Sequence, residues 1–176
     1  MGQKMNILDE LIQDAFDNTK LLSASIRKLR PLIKSTRHVE ISAWVDKELA
    51  GYAPISYDGL PKYRQGQGTI KAHDPRFGWL PIQMSKDHAE LWSRVPITFS
   101  IEKLENLLKD VDSELVFQLP KEQADILKSA LTPKRDVAIF IPHADLNFVL
   151  ADMRHQLIEY VLCLKQFGIE SLSDVA

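Results

Sequence analysis

The sequence predicts an α+β fold: an N-terminal helical unit, a small antiparallel or mixed sheet of short strands, and a long C-terminal helix. Three observations predict it. Apolar residues recur at helical spacing through about residues 6–51, short β-rich runs separated by proline and glycine fill about 52–142, and an unbroken 3.6-residue period occupies about 145–167. At 176 residues, 45% hydrophobic and 26% charged, the chain has the size of one domain, and residues 1–176 are read as a single domain made of these three segments.

In the first segment Ile7, Leu8, Leu11, Ile12 and Ala15 share a helix face, with Asn6 as cap and Asp9 and Glu10 in the first turn, predicting a helix over about 6–17. A second helix begins near Asn18 or Thr19 and turns Leu22, Ile26, Leu29 and Ile33 inward. Pro31 lacks a backbone donor and is expected to kink or end it. A third, over 38–50, places Ile41, Trp44, Val45 and Leu49 on one face and stops at Gly51.

Pro54, Gly59, Pro61, Gly66 and Gly68 then mark turns. Thr69–Ala72 and Trp79–Met84 read as strands joined by the hairpin loop HDPRFG. Residues 85–92 read as a short helix, Val95–Phe99 as extended chain, and Ser100 as the cap of a helix burying Ile101, Leu104, Leu107 and Leu108. SELVFQL, residues 113–119, alternates like a strand, KEQADILKSAL returns to helical period, and DVAIFI, residues 136–141, is the clearest strand, closed by Pro142. From Asp145 to about Gln166, Leu146, Val149, Leu150, Met153, Leu157, Val161 and Leu164 keep the helical period, and Gly168 supplies the stop. No internal repeat is present.

Twenty-two Lys and Arg against 24 Asp and Glu give no overall attraction to nucleic acid or an anionic membrane. The lone Cys163 lies in an apolar helical run, which excludes an internal disulfide and fits a reducing compartment. The start MGQKMN departs from a myristoylation signal at Asn6, and no apolar run is long enough for a signal peptide or a membrane span, so a cytoplasmic location is expected.

Residues that carry chemistry are sparse. None of the five histidines stands at the spacing of a zinc site; His143 with Asp145 and Asp152 with His155 offer two ligands each, and capping or solvated roles suit them better. No nucleophile turn is present, and Gly66 and Gly68 lack the third glycine of a phosphate loop, which assigns them to a turn or bulge. Arg37 with His38 and Arg154 with His155 are adjacent and point apart on a helix. Asp112 and Glu114 precede a strand without the lysine that a metal nuclease places beyond its acid. No catalytic residue, metal ligand or cofactor-binding residue is therefore assigned.

Binding features are clearer. Trp44, Tyr52, Tyr57, Tyr63 and Arg64 are of the types that anchor protein interfaces, and all five fall in the run from Trp44 to Arg64. The competing reading folds Tyr52 and Tyr63 over the core beside Trp44, with Arg64 satisfying a carbonyl or carboxylate. Arg27, Lys28, Arg30, Lys34 and Arg37 form the one strong basic stripe, read as a solvated helix face rather than a nucleic-acid contact.

The N-terminal ILDELIQDAFDNTKLLSASIRKL, WVDKELAGY, LPKYR, SIEKLENLL and the long last helix together resemble the AbiTii domain of bacterial abortive infection proteins. The most specific part is Trp44, Glu48, Leu49, Gly51 and Tyr52 followed by Pro61, Tyr63 and Arg64; Pro31 departs from the expected helix. The resemblance implies a role in phage defence as an antitoxin or regulatory module beside an effector, and it brings no catalytic residues. Two readings follow: a non-enzymatic interaction module with an effector or toxin protein as partner, which is preferred, and a toxin or nucleic-acid-acting enzyme using Asp112, Glu114, His143 and Asp145. Homo-oligomerisation through the last helix, or a sensor role, is compatible with either.

Overall fold

The computed structural model describes residues 6–34, 38–109 and 114–168. Among these the chain forms seven α-helices and six strands, in keeping with the α+β expectation. They gather into two compact units that cut across the consecutive segments read from the sequence. The first comprises Met1–Pro54, Thr98–Lys109 and Phe148–Ala176, the second Ile55–Ile97 and Asp110–Asn147.

The first unit is helical. Helix α1 (Ile7–Phe16) is capped by Asn6, whose Oδ1 accepts from the Leu8 N–H at 2.9 Å, and it buries Leu8, Leu11 and Ala15. Asp17 ends it and organises the turn: its Oδ1 accepts from the Thr19 hydroxyl at 2.6 Å and the Thr19 N–H at 2.9 Å, bonds that hold its carboxyl below the usual range. The second helix consequently starts later than the sequence suggests. Helix α2 (Leu22–Ile33) runs through Pro31 and ends two residues beyond it, because Leu29, Leu32 and Ile33 are all buried and their packing offsets the lost bond.

Helix α3 (Val39–Ala50) stops as expected at Gly51, whose φ is +95°. A Cβ there would lie 2.8 Å from the Thr98 carbonyl oxygen, which the Tyr52 N–H approaches at 2.8 Å. Helix α5 (Ile101–Leu107), capped by Ser100, and the Phe148–Gln166 part of α7 (His143–Gln166) complete the unit; Met153, Leu157, Val161 and Leu164 have no exposed surface.

Helix α2 has no side-chain cap of its own. Glu105 on α5 supplies one, accepting from the Ser23 N–H at 3.1 Å and the Ser23 hydroxyl at 2.6 Å. The C-terminal carbonyls of α1 are met by Arg154 of α7. Its guanidinium donates to the oxygens of Asp14, Ala15 and Asp17 at 3.3–3.4 Å and of Lys20 at 2.7 Å. Burial depresses the Arg154 pKa while Glu105 and Asp17 oppose that shift.

The second unit holds the strands. Strand β1 (Gln65–Gln67) pairs antiparallel with β4 (Arg94–Pro96). The second sheet, also antiparallel, has the order β3 (Gly78–Pro81), β2 (Thr69–Asp74), β6 (Val137–Ile141), β5 (Leu115–Phe117). The predicted hairpin between β2 and β3 is present: Asp74 Oδ1 accepts from the Arg76 and Phe77 N–H groups, which hold its carboxyl low, and Gly78 takes φ +75°. Helices α4 (Lys86–Trp92, capped by Ser85) and α6 (Lys121–Ala130) flank the strands in sequence.

Two expectations are corrected. Gly66 lies within β1 and Gly68 between β1 and β2, both without positive φ, so they permit close packing rather than turn the chain. A Cβ on Gly68 would meet Ile139 Cγ2 and lie 2.7 Å from the Phe140 carbonyl oxygen. His143 is the first helical residue of α7 rather than a residue capping it from outside.

Candidate interaction surfaces

The five residues singled out from the sequence divide between the units. In the first, Trp44 is 7% exposed and meets Tyr160 of α7 edge-on, ring centroids 5.2 Å apart. Tyr52 is 2% exposed and donates its hydroxyl to Glu48 Oε1 at 2.6 Å, with Lys47 Nζ 5.9 Å from its ring centre. Tyr160 donates to Glu40 Oε1 at 3.3 Å, and burial followed by the neighbouring carboxylates pushes its pKa up to about 12. In the second unit, Arg64 is fully buried and donates from Nη1 to the Ile97 carbonyl at 3.1 Å, while the Ile97 N–H donates to the Arg64 carbonyl at 3.0 Å. Tyr63 is half-buried. Tyr57, also half-buried, lies under the Arg94 guanidinium at 5.3 Å, and Arg94 approaches Asp58 at 3.8 Å. Trp44, Tyr52 and Arg64 thus sit in the interior, whereas Tyr57 keeps exposed surface.

Three residues of the basic stripe are paired with carboxylates within the first unit. Arg27 pairs with Glu102 at 2.5 Å, Lys28 with Glu10 at 2.6 Å and Asp14 at 2.9 Å, and Arg30 with Asp46 at 2.9 Å. The two carboxylates hold the Lys28 pKa above its ordinary value. Lys34 is exposed, and Arg37 lies outside the described residues.

Of the groups considered for an enzyme, Asp112 lies outside the described residues; Glu114 pairs with Lys71, and Asp145 is exposed with its N–H on the Pro142 carbonyl at 3.1 Å. His143 buries Nε2 without a hydrogen-bond partner. Asp152 and His155 are exposed on α7, and His155 lies 4.0 Å from Glu159. Among the described residues no three His, Cys, Asp or Glu side chains are grouped to hold a metal ion, and no helix is long and apolar enough to cross a membrane.

One surface was not read from the sequence. Registers place Thr69, Lys71, His73, Trp79, Pro81, Val116, Ala138 and Phe140 on one face of the four-stranded sheet, opposite buried Ile70, Ala72, Ile139 and Ile141. Trp79 packs on His73 and on Phe140, with centroids 5.2 and 5.1 Å apart, and Lys71 Nζ sits 4.5 Å over the Phe140 ring. Phe140 is shielded, whereas Trp79 is 37% and Val116 56% exposed, and Phe77 in the adjoining turn is exposed too. The alternation of each short strand is visible in the sequence; the register that joins them is not.

A protein-family model named AbiTii matches residues 6–174. No curated protein and no solved structure gives a significant match.

Proposed function

The chain belongs to the AbiTii family, and from that premise we propose that it is a non-enzymatic interaction module in bacterial abortive infection, an antitoxin or regulator that binds a partner effector. The observation that carries the binding role is the aromatic outer face of the sheet in the second unit, where Trp79 and Val116 are exposed beside Phe140, His73 and Lys71. Exposed apolar groups gathered around a tryptophan and rimmed by polar side chains are the composition of a protein contact. Tyr57, half-buried under the Arg94 guanidinium, adds a further partly exposed aromatic in the same unit.

Coexpression with the genomic neighbour tests the proposal. The neighbour alone is expected to arrest growth, this chain to relieve the arrest, and the two to copurify. Trp79→Ala and Tyr57→Ala are expected to weaken copurification with the helical signal unchanged, since both side chains are partly solvated. Toxicity of this chain alone, relieved by the neighbour, overturns the antitoxin role and favours a toxin. Arg64→Ala is unsuited to this test: with no exposed surface, Arg64 reports folding first.

A further inference from the structure

The two edges of the four-stranded sheet are built differently. The Ile82 N–H donates to the Ile70 carbonyl at 3.0 Å, so Leu80 and Ile82 face β2 while Trp79 and Pro81 turn their backbone groups outward. Pro81 has no N–H to offer, which blunts that edge. On the opposite side the His73 N–H donates to the Asp136 carbonyl at 2.8 Å. By alternation, residues 138 and 140 of β6 also face β2, and residues 137, 139 and 141 face β5. Leu115 and Phe117 therefore bond to β6, and Val116 presents its N–H and C=O outward on an edge without proline, glycine or lysine. Among the described residues no strand pairs with that edge.

The β5 edge is also complementary to itself. An antiparallel pairing about Val116 sets Val116 against Val116, Leu115 against Phe117 and Glu114 against Gln118, with no like charges opposed. Val116 is 56% exposed, so its apolar side chain on this edge is open to further burial. We propose that a second copy of this chain docks on β5 by this pairing, joining two four-stranded sheets into one of eight strands. The edge is three residues long, so the dimer belongs to the weak, micromolar class.

Sedimentation of the full chain across the micromolar range, with a site-specific cross-link, tests it. The wild type is expected to pass from monomer to dimer, and Val116→Lys, which sets like charges opposite on a solvated position, to weaken the dimer by roughly tenfold or more. In a Cys163→Ala background, Val116→Cys should form a covalent dimer on mild oxidation, because the paired Cα atoms would lie about 5.5 Å apart, within disulfide reach. Trp79→Cys, on the blunted edge, should not. A wild type that stays monomeric, a dimer indifferent to Val116→Lys, or equal cross-linking from both edges overturns the proposal. So does a monomer whose Val116→Lys variant loses only capture of the coexpressed neighbour, which would assign the edge to a foreign strand.

Discussion

Removing the carboxylate of Glu105 should unfasten the start of α2 from a distance of 82 residues in sequence. Glu105 is 9% exposed, and its two oxygens accept from the N–H and the hydroxyl of Ser23 at 3.1 and 2.6 Å. Leu21, in the capping position, has no hydroxyl or amide with which to replace it. Losing a cap costs about 1 kcal/mol, and leaving a buried amide and hydroxyl unpaired adds about 2 kcal/mol, so Glu105→Ala should destabilise by about 3 kcal/mol. Gln keeps one acceptor and the shape, and its cost should be about 1 kcal/mol. With a urea dependence of about 2 kcal/mol per M, these become midpoint shifts of about 1.5 M and about 0.5 M in equilibrium unfolding followed by circular dichroism. Ser23→Ala should cost about 1 kcal/mol alone and little more in the Glu105→Ala background, giving a coupling near 1 kcal/mol. If Glu105→Ala shifts the midpoint by less than Glu105→Gln, or Ser23→Ala adds its full cost to it, the tertiary cap is refuted.

Arg154→Ala should cost about 2–3 kcal/mol in the same assay, with Arg154→Lys recovering only part, because one ammonium cannot serve the carbonyls of Asp14, Ala15, Asp17 and Lys20 together. Gly68→Ala should destabilise by about 2 kcal/mol or more through collision with the Phe140 carbonyl and Ile139. Gly78→Ala, which meets nothing within 4 Å, should cost only the conformational strain of its positive φ, about 1 kcal/mol, and thermal unfolding of the two variants separates these causes. Tyr160 ionises near pH 10 when unfolded and at about 12 when folded, so folding favours its neutral form; that contribution is complete below pH 10 and is lost as pH rises through 10 to 12. Relative to Tyr160→Phe, the wild type should therefore lose stability over that window, with phenolate absorbance reporting the late ionisation.

Much of the architecture was legible because it rests on local rules. Asn6, Ser85 and Ser100 cap the helices they precede, Gly51 ends α3 with positive φ, and the apolar period of the last helix marks the residues that become buried. Pro31 lies within the last turn of α2, which ends two residues beyond it, and the burial of Leu29, Leu32 and Ile33 carries the helix that far. Strand β1, only three residues with a central glycine, was missed because its conformation comes from pairing with β4. Among the candidate interface residues, Trp44, Tyr52 and Arg64 lie in the interior. Their near-complete burial depends on neighbours such as Ile97 and Tyr160, far along the chain.

The sequence by itself determined most of the helical and strand-forming segments, the local caps Asn6 and Ser100, the stop at Gly51, and the AbiTii assignment, since each depends on residues close together or on a pattern spanning the chain. Tertiary structure alone decided that Glu105 caps α2, that Arg154 closes α1, that Arg27, Lys28 and Arg30 of the basic stripe are paired with carboxylates, and that Trp79, Phe140 and Val116 share one face. Side-chain partners and strand register are long-range properties: a one-residue slip would send Val116 to the opposite face with no change in local propensity.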